Sequence, residues 1–136
     1  MKKTLKKLIN DKRFITISLF AYLALIFYIS SQPSPGLHLD IKFEDKFKHF
    51  AAYFVMGILI IRYAKYVVKF DTISKAIKFT IIFGLLYGVS DELHQGFLGY
   101  FDTGIFGGQR DASFADWVAD AFGIVAASYI YYKKQW

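Results

Sequence analysis

The sequence predicts an all-α integral membrane bundle of four transmembrane helices, with the N-terminus and the C-terminus both cytoplasmic (N-in and C-in). Three observations carry this expectation. The 136 residues are 55% hydrophobic and 20% aromatic, with a mean hydropathy of +0.33, more apolar than a soluble domain of that length. The apolar residues fall in four blocks, about 14–31, 47–68, 76–97 and 114–132, each close to the ~20 residues that cross a bilayer core. The basic residues gather at alternate ends of those blocks. A chain of this length holds one domain, 1–136, and no second.

The first block follows Met1–Arg13, which carries Lys2, Lys3, Lys6, Lys7, Lys12 and Arg13, and has no charge from Phe14 to Ser31. A signal peptide begins similarly, but its apolar region is shorter and ends in a small-residue cleavage site, so the reading is an uncleaved helix. Gln32-Pro33-Ser34-Pro35-Gly36 reads as a turn. Leu37–Phe43 is too short to span and is expected along the outer surface. The second block opens at Asp45, and Arg62, Lys65 and Lys69 mark its inner boundary, where long basic side chains reach the headgroups. The third ends in Asp91, Glu92, His94 and Gln95; the fourth ends in Lys133-Lys134.

Orientation follows from these flanks. With the N-terminus inside, thirteen of the 17 Lys and Arg residues are cytoplasmic, and Lys42, Lys46, Lys48 and Arg110 remain outside. Of the acidic residues only Asp11 and Asp71 lie inside, and all three histidines (His38, His49 and His94) lie outside. The absence of cysteine removes disulfides, thiolate nucleophiles and thiolate metal sites. The net charge of +6 reflects basic membrane flanks rather than one continuous patch, so no nucleic acid is expected.

Residues four apart share nearly one helical face. In the second block this gives Asp45, His49, Tyr53 and Gly57. In the third, the Gly84–Gly88 pair leads to Asp91, Glu92 and Gln95; in the fourth, Asp116 and Asp120 share a face with Gly123 and Ala127. Small residues let membrane helices approach closely, and a polar group facing lipid is costly. The inference is that the small rows pack and aim the polar ends at one another. The stretch 96–109, rich in glycine and aromatics, is either a re-entrant loop or an outer one. Trp117 and Trp136 read as interface anchors, and His38 as solvated.

Four spaced elements now stand in order: Ser30-Ser31-Gln32-Pro33, Asp45-Lys46-x-x-His49-Phe50-x-x-Tyr53, Asp91-Glu92-x-His94-Gln95, and Arg110-x-x-Ser113-x-x-Asp116-x-x-x-Asp120-x-x-Gly123. Together they resemble the VanZ-like family of bacterial membrane proteins, named for a teicoplanin-resistance protein, over nearly the whole chain. The resemblance implies a multi-pass protein of the bacterial cell membrane with a connection to the cell envelope and to glycopeptide susceptibility. The family passes quickly from the Gln of its third element to the Arg of its fourth, whereas fourteen residues separate Gln95 from Arg110 here.

Three function classes compete for the outer cluster. The preferred one is binding of an envelope-related ligand (a lipid headgroup, a lipid-linked cell-wall precursor or a glycopeptide) by Lys46, His49, Gln95, Arg110 and Asp116. The alternative is a membrane-embedded enzyme acting on a lipid-linked or phosphate-containing substrate, with Asp45, His49, Asp91, Glu92, His94 and Asp120 as acid–base candidates. A metal-assisted version would place a divalent metal such as zinc or manganese on His49 and His94 with two of Asp91, Glu92, Asp116 and Asp120. No HExxH or GxSxG pattern accompanies it. Transport ranks last, because the inner halves of the helices carry no matching acids. Membrane lipids are the expected partners, and association into a homo-oligomer stays open.

Overall fold

The computed structural model describes residues 10–32, 44–101 and 113–134. They form four helices: α1, Lys12–Ser30; α2, Glu44–Tyr63, prolonged by a π-helical turn at Ala64–Val68; α3, Ile73–Phe101; and α4, Phe114–Lys134. No strand occurs among the described residues. Three helices are long and apolar enough to cross a membrane, over Lys12–Ser30, Glu44–Val68 and Ile73–Phe97. The less apolar α4 still has 21 residues, about 30 Å at the usual helical rise. Its first turns carry Asp116 and Asp120, the main departure from an apolar sequence.

Local chemistry sets the boundaries. Asp11 caps α1 by accepting from Arg13 N at 2.9 Å and Phe14 N at 3.0 Å, supplying partners for otherwise orphaned first-turn amides. The extension of α2 closes at Lys69, whose φ of 62° is left-handed; this conformation ends a helix and is usually given to glycine. Ser113 starts α4, with its carbonyl accepting from Asp116 N and Trp117 N at 3.0 and 3.1 Å. α3 runs beyond its expected end at 97 to Phe101, so Gly96 and Gly99 continue the helix instead of opening the loop. The rest of the loop, Arg110, His38, the Pro33–Gly36 turn, Leu37–Phe43 and Trp136 lie outside the described residues.

Packing is closest between α2 and α4. A Cβ on Gly123 would collide with the Phe50 carbonyl oxygen and lie 2.8 Å from Phe54 N, and one on Gly57 would lie 2.8 Å from the Ala127 methyl. These two small residues therefore let backbone meet backbone. α3 is farther from α4, and the Ile124 side chain fills the space over Gly84. α1 is tied on by tyrosine hydroxyls, with Tyr22 donating to Ala52 O at 3.0 Å and Tyr87 to Leu23 O at 2.7 Å.

The buried core is slender: Leu19, Ile26, Tyr53, Met56, Ile60 and Ile124 form its main cluster. Large apolar residues such as Ile17, Phe20, Ile82, Leu86, Leu93 and Phe122 point outward. Such a surface suits hydrocarbon, where helix exteriors remain apolar. Adding a methyl at Gly123 is expected to destabilise the detergent-solubilised chain by about 1–3 kcal/mol. Gly88→Ala should be milder, because its nearest new contact is Trp117 Cδ1 at 3.2 Å. Circular-dichroism melts of the two variants should rank in that order, and equal melting temperatures would contradict the close α2–α4 approach.

Candidate functional site

The C-terminal ends of α1 and α3 and the N-terminal ends of α2 and α4 meet at one end of the bundle. Here the Gly123 contact sets the height of α4 against α2, placing Asp120 and Asp116 three and seven residues before it. Asp120 Oδ1 lies 2.9 Å from His49 Nδ1, and Lys46 Nζ donates to Asp116 Oδ1. Lys46 of α2 and Asp116 of α4 thus form an ion pair between the two helices. Asp120 is 1% exposed, and Asp91, Glu92, Asp116 and Gln95 are also buried.

α3 supplies the third side. Gln95 Nε2 donates to Asp91 Oδ2 at 3.0 Å, and Glu92 Oε2 accepts from Ser113 N at 2.6 Å. The second contact joins the end of α3 to the start of α4, where a carboxylate is favoured by the free amides and the helix dipole. Glu92 has His49, Asp116 and Asp120 as electrostatic neighbours. His49, Glu92 and Asp120 can each present one ligand atom within 4.8 Å of the others, and so can Asp45, His49 and Asp116. Two charged carboxylates at that separation repel by roughly 3.5 kcal/mol at an effective dielectric constant near 20. A proton, an ammonium or a metal among them would relieve that repulsion.

Several buried polar atoms have no partner among the described residues: Asp91 Oδ1, Glu92 Oε1, Asp120 Oδ2, Tyr53 Oη and, deeper, Ser128 Oγ. Most such atoms in folded proteins are satisfied. Tyr53 has Asp120, Asp91 and Glu92 as electrostatic neighbours, so its hydroxyl belongs to the same polar interior. A cavity of about 130 Å³ adjoins it, bounded by Tyr22, Leu25, Ile26 and Ile29 of α1 and by His49, Asp91 and Gln95. Leu25 and Ile29 are 48% and 53% exposed, so the α1 side of the cavity reaches the outer surface of the bundle.

The candidates separate into three groups. His49, Asp91, Glu92, Gln95, Asp116, Asp120 and Lys46 are brought together. Asp45 sits at the rim, 67% exposed at its side chain and 3.6 Å from Lys46 Nζ. His94 stands apart: its Nε2 lies 2.9 Å from Ser31 Oγ and its ring stacks on Phe27 at 4.4 Å. It clasps α3 to α1 and belongs to neither ligand set.

Sequence reasoning missed the α1 wall of the cavity, because Leu25, Ile26 and Ile29 carry no polar signal. It also counted Trp117 as an interface anchor, whereas the indole is partly buried and donates to Leu85 O at 3.3 Å. No family model matches the chain, and no curated protein or solved structure matches it significantly.

Breaking one side of the Lys46–Asp116 pair should destabilise more than removing both. Lys46 is over a third exposed, so the expected coupling is modest, about 1–2 kcal/mol. A double-mutant cycle of Lys46→Met and Asp116→Asn in denaturant would measure it; strictly additive effects would show that the pair contributes nothing.

Proposed function

We propose that the chain is a multi-span bacterial membrane protein of the VanZ-like type whose outward-facing polar site binds the polar group of an envelope-related amphiphile. In this reading α4 is the fourth span, and the positive flanks place both termini in the cytoplasm. The polar ends of the four helices then face outward. Reporter fusions at the two termini test the orientation: both should be active only as cytoplasmic reporters, and an extracytoplasmic signal from either overturns it.

The observation that carries the binding reading is the shape of the cavity between α1, α2 and α3. Its apolar α1 side continues into the exposed surface at Leu25 and Ile29, while His49, Asp91 and Gln95 line the other side. An amphiphile from the membrane would keep its chain against α1 and offer its headgroup to the polar residues. The unpartnered Asp91 Oδ1 is an acceptor, so it favours a headgroup with N–H or O–H donors. Lipid headgroups and lipid-linked cell-wall precursors meet this requirement. The small cavity suits them better than a whole glycopeptide, and any effect on antibiotic susceptibility rests on the family resemblance.

One observation favours an enzyme as the second reading. His49 lines the cavity and its Nδ1 is engaged by the buried Asp120. In the tautomer that donates from Nδ1, Nε2 is the basic nitrogen, the arrangement of an oriented general base. Capture of photoactivatable headgroup-modified lipids by the purified chain separates the readings. Asp91→Asn should weaken capture by about tenfold, the effect of one charged hydrogen bond. Ala52→Phe, which fills the cavity, should abolish capture. Undiminished capture by both variants would reject the binding site, whereas turnover of a lipid-linked phosphate that disappears in His49→Gln would favour the enzyme.

A further inference from the structure

We propose that His49, Glu92 and Asp120 hold one divalent cation of the zinc or manganese class in the buried polar interior next to the cavity that His49 lines. The inference deepens the reading of this site and rests on the same cluster, but not on the identity of the amphiphile.

Geometry is the first support. One ligand atom from each of the three residues lies within 4.8 Å of the other two, and the side chains come from three different helices. His49 Nδ1 and Asp120 Oδ1 are 2.9 Å apart. Donors bound about 2.1 Å from one metal are separated by about 3 Å at the right angles of an octahedral site and by about 3.4 Å in a tetrahedral one, so this spacing fits an octahedral edge as well as a hydrogen bond.

The second support is independent of the clustering. A proton shared by His49 and Asp120 satisfies only Oδ1, yet Asp120 Oδ2 and Glu92 Oε1 are also buried and unpartnered. Tyr53, 1% exposed and outside the ligand set, carries another unpartnered hydroxyl and has Asp120 and Glu92 as electrostatic neighbours. Residual buried oxygens with no donor fit a cation and its bound water.

The charge arrangement selects this set over the other. In the Asp45–His49–Asp116 group, Lys46 donates to Asp116 and Asp45 stands in solvent. Cation binding there would displace an ammonium already in place. Glu92 and Asp120, by contrast, have no lysine or arginine bonded to them among the described residues. A nitrogen donor with two carboxylates suits zinc or manganese better than magnesium or calcium, which prefer oxygen throughout. The set also revises the metal candidates read from sequence. Of those candidates it keeps His49, Glu92 and Asp120 and drops three: His94 turns to Ser31, Asp91 has Gln95 as its donor, and Asp116 has Lys46.

The test uses the full chain in detergent, stripped with a chelator and titrated with Mn(II), with free ion read by electron paramagnetic resonance and Zn(II) as competitor. Wild type should retain about one ion per chain, and its spin-echo spectrum should show a directly bound imidazole nitrogen. Glu92→Gln and Asp120→Asn should weaken retention by at least about tenfold, while His94→Gln and Asp45→Asn should bind as wild type. A folded wild type that leaves both ions free overturns the site, as does a bound ion without nitrogen coupling. Both readouts come from the wild type, so the result does not depend on the variants folding. Loss of metal in Asp45→Asn with retention in Glu92→Gln would also overturn it. Lipid capture by the stripped chain is scored separately: failed metal binding with intact capture rejects this inference alone, and the reverse rejects only the amphiphile reading.

Discussion

The close approach of α2 and α4 at Gly123 and Gly57 is the constraint on which the rest of the structure depends. Gly123 faces the backbone of Phe50, Tyr53 and Phe54, with no room for a side chain between the helices. In hydrocarbon, helices gain nothing from hiding apolar surface, so close van der Waals packing of small residues must supply much of the association. That contact also fixes axial register. Once Gly123 sits beside Phe50 and Tyr53, the aspartate three residues earlier meets His49, and the one four residues before that meets Lys46.

Register explains why so many acids are tolerated in so small a bundle. An isolated carboxylate within an apolar interior is strongly disfavoured, but each acid here reaches a donor on another element or one turn along its own. Asp116 has Lys46, Asp120 has His49, Glu92 has the Ser113 amide and Asp91 has Gln95. The pairings are incomplete, with a second oxygen left bare on Asp91, Glu92 and Asp120.

The opposite end of the bundle is built differently. Arg62 and Lys65 lie over the Tyr66 ring at 5.6 and 5.2 Å, and Lys65 is also 5.5 Å from the Tyr131 ring. Basic side chains packed on tyrosines suit a headgroup boundary, where rings are half in hydrocarbon and cations face phosphates. The chain thus separates a cationic, aromatic end from an acidic, partly buried one. α1 completes the acidic end through its tyrosine and His94 contacts rather than through charges of its own.

The sequence by itself determined the helices, because long apolar blocks bounded by charges and turn residues have few other ways to satisfy their backbone in a membrane. It also determined the membership of most of the cluster, since Gly88, Glu92 and Gln95 share a face, as do Asp116, Asp120, Gly123 and Ala127. Rotation about each helix limits that reading. At about 100° per residue, four-residue steps drift by about 40°, so Asp45 is carried about 120° from Gly57 and ends at the rim. His94, six residues past Gly88, points about 240° away from it and meets α1 instead. Only tertiary structure decided which acid faces which base, because partners come from different helices and depend on the register set at Gly123. It also decided that apolar α1 walls the cavity, a role that leaves no mark in a sequence where every lipid-facing residue is equally apolar.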